Sequence, residues 1–580
     1  MTRLRVWAPR PAQVAVTCGG QIRNLAREES GWWSLEVPEL EPGVDYAFLL
    51  DGKGPYPDPR SRWQPQGVEG PSRWLEPDHF VWTDAAWRPP PLAAAVILEV
   101  HVGTCTPGGR FRDLHAHLAE WRTLGITHLE LMPIGAFAGR VGWGYDVSLP
   151  SAPHPDYGDP AELCQLVDAC HATGLAVLLD VVYNHLGPSG TSMGQFAPYT
   201  LPHASTPWGE AMNLDGPGSD EVRSLLLDNA RLWLADYHFD GLRIDAEHAL
   251  VDRSALPFLE ELAGQVRQWS HQLARPLSLI VESDRNDSRL VLPRAVGGMG
   301  MDALWNEDFH HALHALLTGE RYGPGQDFGH IADFARVWTH GFALDGRHSR
   351  FRGRRHGRPA SQVPGRRFVA FLQNHDQIGN RPGGERSARL LSTGQQRIAS
   401  ALLLSSPFIP LLFQGEEWGA QTPFHYFAEF ADPHLAQSVR TGRHQEFLRW
   451  GWPHASSVDP TDPASFAASR LDWLERAQPA QAAHLAWVRA LLNLRSQLPE
   501  WAGDDLAHGQ AGWDETARWL WLRRGATLIA CNFSTHPQVL PHPDTASRHA
   551  LLSSDPAARL TAHGLELPAE SVLILREKGP

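Results

Sequence analysis

Three acids in this chain close short apolar runs. Asp245 follows Gly241-Leu242-Arg243-Ile244, Glu282 follows Leu279-Ile280-Val281, and Asp376 ends Gln373-Asn374-His375-Asp376 after Phe368-Val369-Ala370-Phe371-Leu372. A charged group at the tip of a buried strand is costly unless it is paired or used. Arg243 and Asp245 stand two apart, so on a strand both side chains face the same way. A guanidinium beside a carboxylate favours the ionised form, which a nucleophilic or charge-stabilising acid requires. Glu282 follows a wholly apolar run, where desolvation favours the protonated form that donates a proton to a leaving group. One ionised and one protonated carboxylate, about 5–5.5 Å apart, is the pair used in retaining glycoside hydrolysis. Each acid alone fits a structural ion pair as well as catalysis. Three of them aimed at one mouth exceed what such a network needs.

The elements that must position them recur along the chain. VILEVHVGT, ITHLELMPI, LAVLLDVV, DGLRIDA, LSLIVES, MDALWNE, RFVAFLQN and FIPLLFQG are eight short apolar runs. Most are separated by segments of helical period, such as LHAHLAEWRTL, AELCQLVDACHATG, SLLLDNARLWLADYHF and LPFLEELAGQVRQW. Strands alternating with amphipathic helices imply parallel βα units, and eight of them point to an α/β fold, a (β/α)8 TIM barrel. A doubly wound sheet is the competing arrangement; the count and the polar strand ends favour the barrel. In such a barrel the site lies at the C-terminal ends of the strands. Before it, LRVWAP, QVAVTC, WWSLEV and DYAFLL read as an N-terminal β-sandwich of immunoglobulin-like or carbohydrate-binding type, and AAWRPPPLAAA as a connector. After it, ARWLWLRR, TLIACNF, HALLSS and SVLILRE read as a C-terminal β-domain. The expected boundaries are 1–88, 89–498 and 499–580.

Composition narrows the chemistry. A chain of 580 residues needs several cores, and 42% hydrophobic with 20% charged residues is globular. A formal net charge of −14 disfavours nucleic acid and other polyanions and suits a neutral substrate. Tryptophan is abundant, 23 in all, which suits large cores and sugar faces. Five cysteines, an odd number without a CxxC, argue against a disulfide framework and for a reducing cytosol. The N-terminus MTRLRVWAPRPAQ has no signal-peptide core, and no apolar run reaches membrane length, so a cytoplasmic protein is expected.

DVVYNH (Asp180–His185), GLRIDA (Gly241–Ala246), IVES (Ile280–Ser283) and QNHD (Gln373–Asp376) resemble, in this order, the four signature regions of the α-amylase family, glycoside hydrolase family 13. The resemblance spans the barrel, and both flanking β-domains are usual attachments in that family. It implies that Asp245 is the nucleophile, Glu282 the general acid/base and Asp376 the third acid gripping sugar hydroxyls. It further implies that Arg243 supports the nucleophile and that His185 and His375 hydrogen-bond the sugar under attack. Tyr145, with its neighbour Asp146, matches the aromatic position beneath that sugar.

Narrower stretches are similar to the branch of the family that cuts the α-1,4 bond next to a terminal trehalose. They are WNEDFHHALH, QNHDQIGNRPGGER, LLFQGEEWGAQTPFHYF, STPWG with NLDGPGSDEVR, and FRGRRHGRP. That likeness implies a maltooligosyltrehalose substrate, a pathway link to the synthase that makes it, and no nucleic-acid or membrane partner. Asp308, His310, His248 and Glu417 are the candidates for the leaving-group side. Branching enzymes are the alternative, but they carry a Ser-His-Asp-Glu pattern where this chain has Asn-His-Asp-Gln. A catalytically inactive glycan-binding barrel is the other; here all three acids and Arg243 are present.

His310 and His314 are four apart on an expected helix, a metal-binding spacing, yet no HExxH glutamate or third ligand accompanies them. Asn184 matches a calcium ligand of many α-amylases. The segment from His185 to the helix near Ser219 is too short for the excursion that completes such sites. No metal or other cofactor is expected. The arginine-rich run RFRGRRHGRPASQVPGRR is expected to be a solvated loop near the barrel mouth.

Overall fold

The computed structural model describes residues 2–37, 40–76, 80–452, 458–502, 505–541 and 547–578. The outermost residues of the expected terminal domains, 1 and 579–580, lie outside them. All eight apolar runs are strands: β1 (Ile97–Val100), β2 (His128–Leu131), β3 (Ala176–Val181), β4 (Gly241–Ile244), β5 (Ser278–Val281), β6 (Ala303–Trp305), β7 (Phe368–Phe371) and β8 (Ile409–Phe413). They pair in chain order, all parallel, and β8 closes on β1.

These runs form strands because they are short, rich in aliphatic and aromatic residues, and covered on both faces. Ile97, Leu178, Ile280, Val369, Phe371, Ile409 and Leu411 point into the barrel and fill its lower part as one fully buried cluster. Two residues further along their strands come Glu99, Asp180 and Glu282, on the same face by the period-2 rule. The apolar plug thus forms a floor beneath a polar layer. The outer helices cover the other face. In α1 (Phe111–Leu124), Phe111, Leu114, Leu118 and Trp121 are buried at spacings of three and four, and Gly125 ends it at φ 113°, a conformation that suits glycine. In α2 (Pro160–Thr173), Asp159 caps the first turn by accepting from the Glu162 amide, and Pro160 occupies the first helical position.

The N-terminal segment forms two antiparallel sheets, one built on Thr2–Trp7 and Trp32–Val37, the other on Val14–Cys18 and Asp45–Leu50. Leu4 and Val6 are buried while Arg3 and Arg5 are exposed, the alternation of a half-covered strand. The start of the connector and the residues just ahead of it are pinned to the barrel rather than loose. The Asp84 carboxylate lies 2.8 Å from Nδ1 of both His171 and His238, and His171 Nε2 lies 3.0 Å from Asp240. Trp87 stacks on His171 and donates to Asp240 at 2.9 Å, while Trp82 stacks on His238. The C-terminal segment carries a five-stranded and a three-stranded antiparallel sheet, with Leu528, Ala530, Leu565 and Leu573 between them. No helix among the described residues is long and apolar enough to cross a membrane.

Candidate active site

The site is built on β3, β4, β5 and β7 around one guanidinium. Asp180 and Arg243 are cross-strand partners on β3 and β4, and Arg243 Nη1 donates to both Asp180 oxygens at 2.9 and 2.8 Å. The same nitrogen donates to Asp245 Oδ1 at 2.8 Å, and Nη2 is ion-paired with Glu282 Oε2 at 3.0 Å. Arg243 is wholly buried and lies over the Trp305 ring at 4.2 Å. Burial works against its charge, yet Asp180, Glu282 and Asp245 around it hold the group firmly protonated. A charge this deep persists because three carboxylates lie within ion-pair distance, although Nη1 alone makes the hydrogen bonds and, among the described residues, Nε and Nη2 make none.

Asp245 completes its bonding through Asn184, whose Nδ2 donates to Oδ2 at 2.9 Å. Glu282 accepts from the Ala246 amide at 2.7 Å. Burial raises its pKa; Arg243 opposes the rise, while Asp245 and Asp376 add to it. That agrees with the expectation that the apolar run preceding Glu282 favours its protonated form. Asp376 is the most open of the three, its side chain 39% exposed, with one oxygen taking Asn380 Nδ2 at 3.2 Å.

His375 is fully buried between Glu99 and Tyr145. Its Nδ1 bonds the Glu99 carboxylate and its Nε2 donates to the Tyr145 hydroxyl at 2.8 Å, which donates onward to Asp180 at 2.7 Å. Burial opposes its charge, but Glu99 and Asp376 overcome that and bring its pKa up to about 9. The Tyr145 ring is stacked on His375, with centroids 5.1 Å apart. His185 places Nδ1 against the Asn184 amide oxygen and carries Trp208 stacked on its ring.

A cleft of about 320 Å³ opens from Glu282 and Asp376 across the loops that follow β5, β6 and β7. Its wall includes Glu307, His310, Tyr322, Arg381 and Trp452. This is the lower end of the size range for small-ligand sites.

Hydrogen bonds, ion pairs and ring contacts link Asp245, Glu282, Asp376, Arg243, His185, His375 and Tyr145, with His248 near Asp284, and of these Glu282 and Asp376 line the cleft. The remaining expected residues divide. Asp146, next to Tyr145, is pushed up to about 6 by burial and does not line the cleft. Asp308 borders the cleft, but its Oδ2 is spent on the Ala343 and Leu344 amides, both at 2.8 Å, so it shapes the loop 343–344. His310 also borders it, with Nδ1 bonded to the Leu372 carbonyl at 2.5 Å and its ring stacked on His314. Glu417 does not reach the cleft. It is buried in the turn after β8 beside Arg386 and Cys105, where desolvation pushes it up to about 7. The run LLFQGEEWG turns inward at this point, so its second acid faces the protein rather than a ligand.

His314 is taken by Glu320 at 2.8 Å, which Arg381 also holds at 2.7 Å. Among the described residues no three His, Cys, Asp or Glu side chains are grouped as a metal site. Phe351, Arg352 and His356 of the arginine-rich run line the cleft, and Arg352 donates to Asp284 at 3.3 Å.

Three residues of the site escape a sequence reading. Glu99 sits inside the apolar run ILEV, and an acid there signals a buried partner. Glu307 opens helix α3 (Glu307–Thr318) beside the cleft, accepts from Gln377 at 2.8 Å, and is raised by burial and by the nearby Glu282 and Asp376. Trp305 under Arg243 has no sequence signal beyond being the last residue of its strand.

The closed parallel barrel and its acidic strand ends define a glycoside hydrolase of the α-amylase class. Residues 77–196 match the model of the alpha amylase catalytic domain, and 504–574 match a domain of unknown function, DUF3459. A provisionally assigned alpha amylase of known structure from Salmonella typhimurium superposes with a TM-score of 0.91 at 34% identity, over 99% of this chain and 97% of that one. The malto-oligosyltrehalose trehalohydrolase of Arthrobacter ramosus is 49% identical over 86% of this chain and 87% of its own length. That of Rhizobium sp. is 43% identical over 99% and 98%. A branching enzyme from Bordetella pertussis is more distant, 29% identical over 74% of this chain and 61% of its own. The chain belongs to the malto-oligosyltrehalose trehalohydrolase family.

Proposed function

We propose that this protein hydrolyses the α-1,4 bond next to the terminal trehalose of a maltooligosyltrehalose, releasing α,α-trehalose and a maltooligosaccharide with retention of configuration. One observation carries the reading: a single buried guanidinium, Arg243, holds Asp245 at 2.8 Å and Glu282 at 3.0 Å beside an open cleft. The relatives named trehalohydrolases supply the substrate class.

The chemistry follows from the two environments. Glu282 delivers its proton to the glycosidic oxygen while a carboxylate oxygen of Asp245 attacks the anomeric carbon. The C–O bond to the leaving sugar breaks and trehalose departs as the alcohol, leaving a covalent glycosyl ester on Asp245. Glu282, now ionised, takes a proton from water as its oxygen attacks the same carbon. Asp245 leaves, and the maltooligosaccharide is freed in its α form. Proton donation of this kind contributes about 10²–10⁴-fold. Asp376 faces the cleft and contributes through bonds to ring hydroxyls that strengthen in the transition state. Tyr145, fixed by His375 and Asp180, presents its ring to the sugar under attack, and His185 reaches a hydroxyl of that sugar.

The substrate is neutral, in keeping with a net charge of −14. We place the enzyme in the cytoplasm, acting after a synthase that converts the reducing end of a maltooligosaccharide into trehalose. The test is product analysis with a trehalose-terminated maltooligosaccharide and with plain maltohexaose. Free trehalose from the first and little cleavage of the second supports the proposal. New α-1,6 linkages would replace it with branching activity.

A further inference from the structure

One acid inside the barrel has no part in the reaction as described. Glu130 lies on β2, and its register partner on β1 is Glu99, so both side chains enter the barrel side by side. Leu178, its partner on β3, belongs to the apolar plug, which fixes the inward direction. Only 1% of Glu130 is exposed, and neither carboxyl oxygen accepts a hydrogen bond from any described residue. The nearby cations are committed elsewhere: Arg243 to Asp180, Asp245 and Glu282, and His375 to Glu99. A carboxylate withdrawn from water without a donor or a counter-ion takes up a proton instead. Burial first, then the charges of Glu99 and Asp180, hold Glu130 well above the ordinary carboxylate range, with Arg243 and His375 opposing.

A protonated carboxyl is a donor and needs an acceptor. Asp180 stands two residues beyond Leu178 and already takes Arg243 on both oxygens and Tyr145 on one. Glu99 is directly alongside. It takes one bond on each oxygen, from the His375 amide at 3.1 Å and from His375 Nδ1 at 2.5 Å, so each keeps a lone pair. Its partner on the other side, Phe413 of β8, offers no polar side chain. We propose that Glu130 is a positioning residue that stays protonated, donates its O–H to the Glu99 carboxylate, and so anchors the relay from Glu99 through His375 to Tyr145. The two acids then share one negative charge, matched by the positive charge of His375. Without that bond Glu99 is freer to turn, and His375 and the Tyr145 ring stacked on it follow. The inference rests on the proposed hydrolysis, in which Tyr145 faces the sugar under attack, and names the residue that holds it from beneath.

The experiment compares full-length wild type with Glu130→Gln, whose amide donates to Glu99 in place of the hydroxyl, and with Glu130→Leu, which has no donor. The infrared difference spectrum of wild type against Glu130→Gln at pH 7 should show a protonated-carboxyl C=O band belonging to wild type. Stability gives a second reading, because a proton held in the folded state contributes fully below about pH 4.5 and is lost as pH rises towards the raised folded pKa. Above about pH 4.5, wild type should therefore lose up to about tenfold in its folding constant per pH unit relative to Glu130→Gln. With maltotriosyltrehalose, Glu130→Leu should lose about tenfold in kcat while KM stays within about twofold, and Glu130→Gln should recover most of the rate. A spectrum without that band, or parallel stability curves, means an ionised Glu130 and overturns the inference, as does Glu130→Leu with wild-type kcat. Wild type that releases no trehalose overturns the functional reading, while the band and the slope still decide the shared proton.

Discussion

Arg243 Nη2 lies 3.0 Å from Glu282 Oε2, and through its other terminal nitrogen the same group holds Asp245 at 2.8 Å. The proposed proton donor and nucleophile are thereby ion-paired to one planar, rigid fork, whose Nη1 bonds Asp245 while Nη2 meets Glu282 through charge without a hydrogen bond. Lysine cannot reproduce that geometry, because an ammonium is a point charge on a flexible stem. Arg243→Lys is expected to fold with reduced stability and to lose most of its kcat. Arg243→Met leaves Asp180, Asp245 and Glu282 without their cation and should cost about 3–5 kcal/mol. Urea unfolding of both variants beside steady-state rates checks this; a Lys variant with wild-type kcat would refute the role given to the fork.

His375 links stability to pH. Its pKa is about 9 in the folded protein against an ordinary 6.5, because Glu99 and Asp376 outweigh its burial. A raised pKa means the folded state binds the proton more tightly. The stabilisation is complete below about pH 6.5 and is lost as pH rises through about 9. A difference of this size is on the order of 3 kcal/mol. Denaturation at pH 6, 8 and 9.5 should show a decline over that window, and His375→Gln should flatten it. An equal decline in the variant would place the effect elsewhere.

At the opposite end of the barrel, His171 sits between Asp84 just before the connector and Asp240 just ahead of β4, at 2.8 and 3.0 Å. Removing the imidazole leaves two buried carboxylates facing each other. His171→Ala should therefore lose about 3–5 kcal/mol, the cost of stripping one member from a buried pair. The folded fraction should keep its kcat, since nothing in the cleft changes. Calorimetric unfolding with active-site-normalised rates separates the two effects.

Asp308 was legible as a sugar ligand, yet it accepts from two loop amides at 2.8 Å. Asp308→Ala strands both donors and should destabilise the protein by about 1–3 kcal/mol. Hydrogen exchange at Ala343 and Leu344 should quicken in step. Unchanged protection at both amides would mean that the carboxylate serves the ligand after all.

The barrel could be read from the chain because each strand is a compact apolar run that ends abruptly in polar residues. Gln373-Asn374-His375-Asp376 turns polar where β7 leaves the plug of Val369 and Phe371 and reaches the acidic layer. The three strand-end acids, Asp245, Glu282 and Asp376, were legible for the same reason. Residues enclosed within a strand, such as Glu99, or opening a neighbouring helix, such as Glu307, were not, because a lone acid beside an apolar run carries no direction. Glu417 shows the converse. Its acid-rich turn reads like a strand-end site, but the turn after β8 folds it against Arg386. The connector AAWRPPPLAAA was read as a proline-rich boundary; its Trp87, and Trp82 and Asp84 just ahead of it, find partners only once the barrel has formed.

The most direct test of the paired carboxylates is the configuration of the first product. Maltotriosyltrehalose would be mixed with enzyme and the anomeric protons followed by NMR before mutarotation equilibrates them. Maltotriose appearing first as the α-anomer, together with free trehalose, is the result expected of Asp245 attacking and Glu282 serving twice. Maltotriose appearing first as the β-anomer would mean a single displacement by water, and Asp245 could not be the nucleophile.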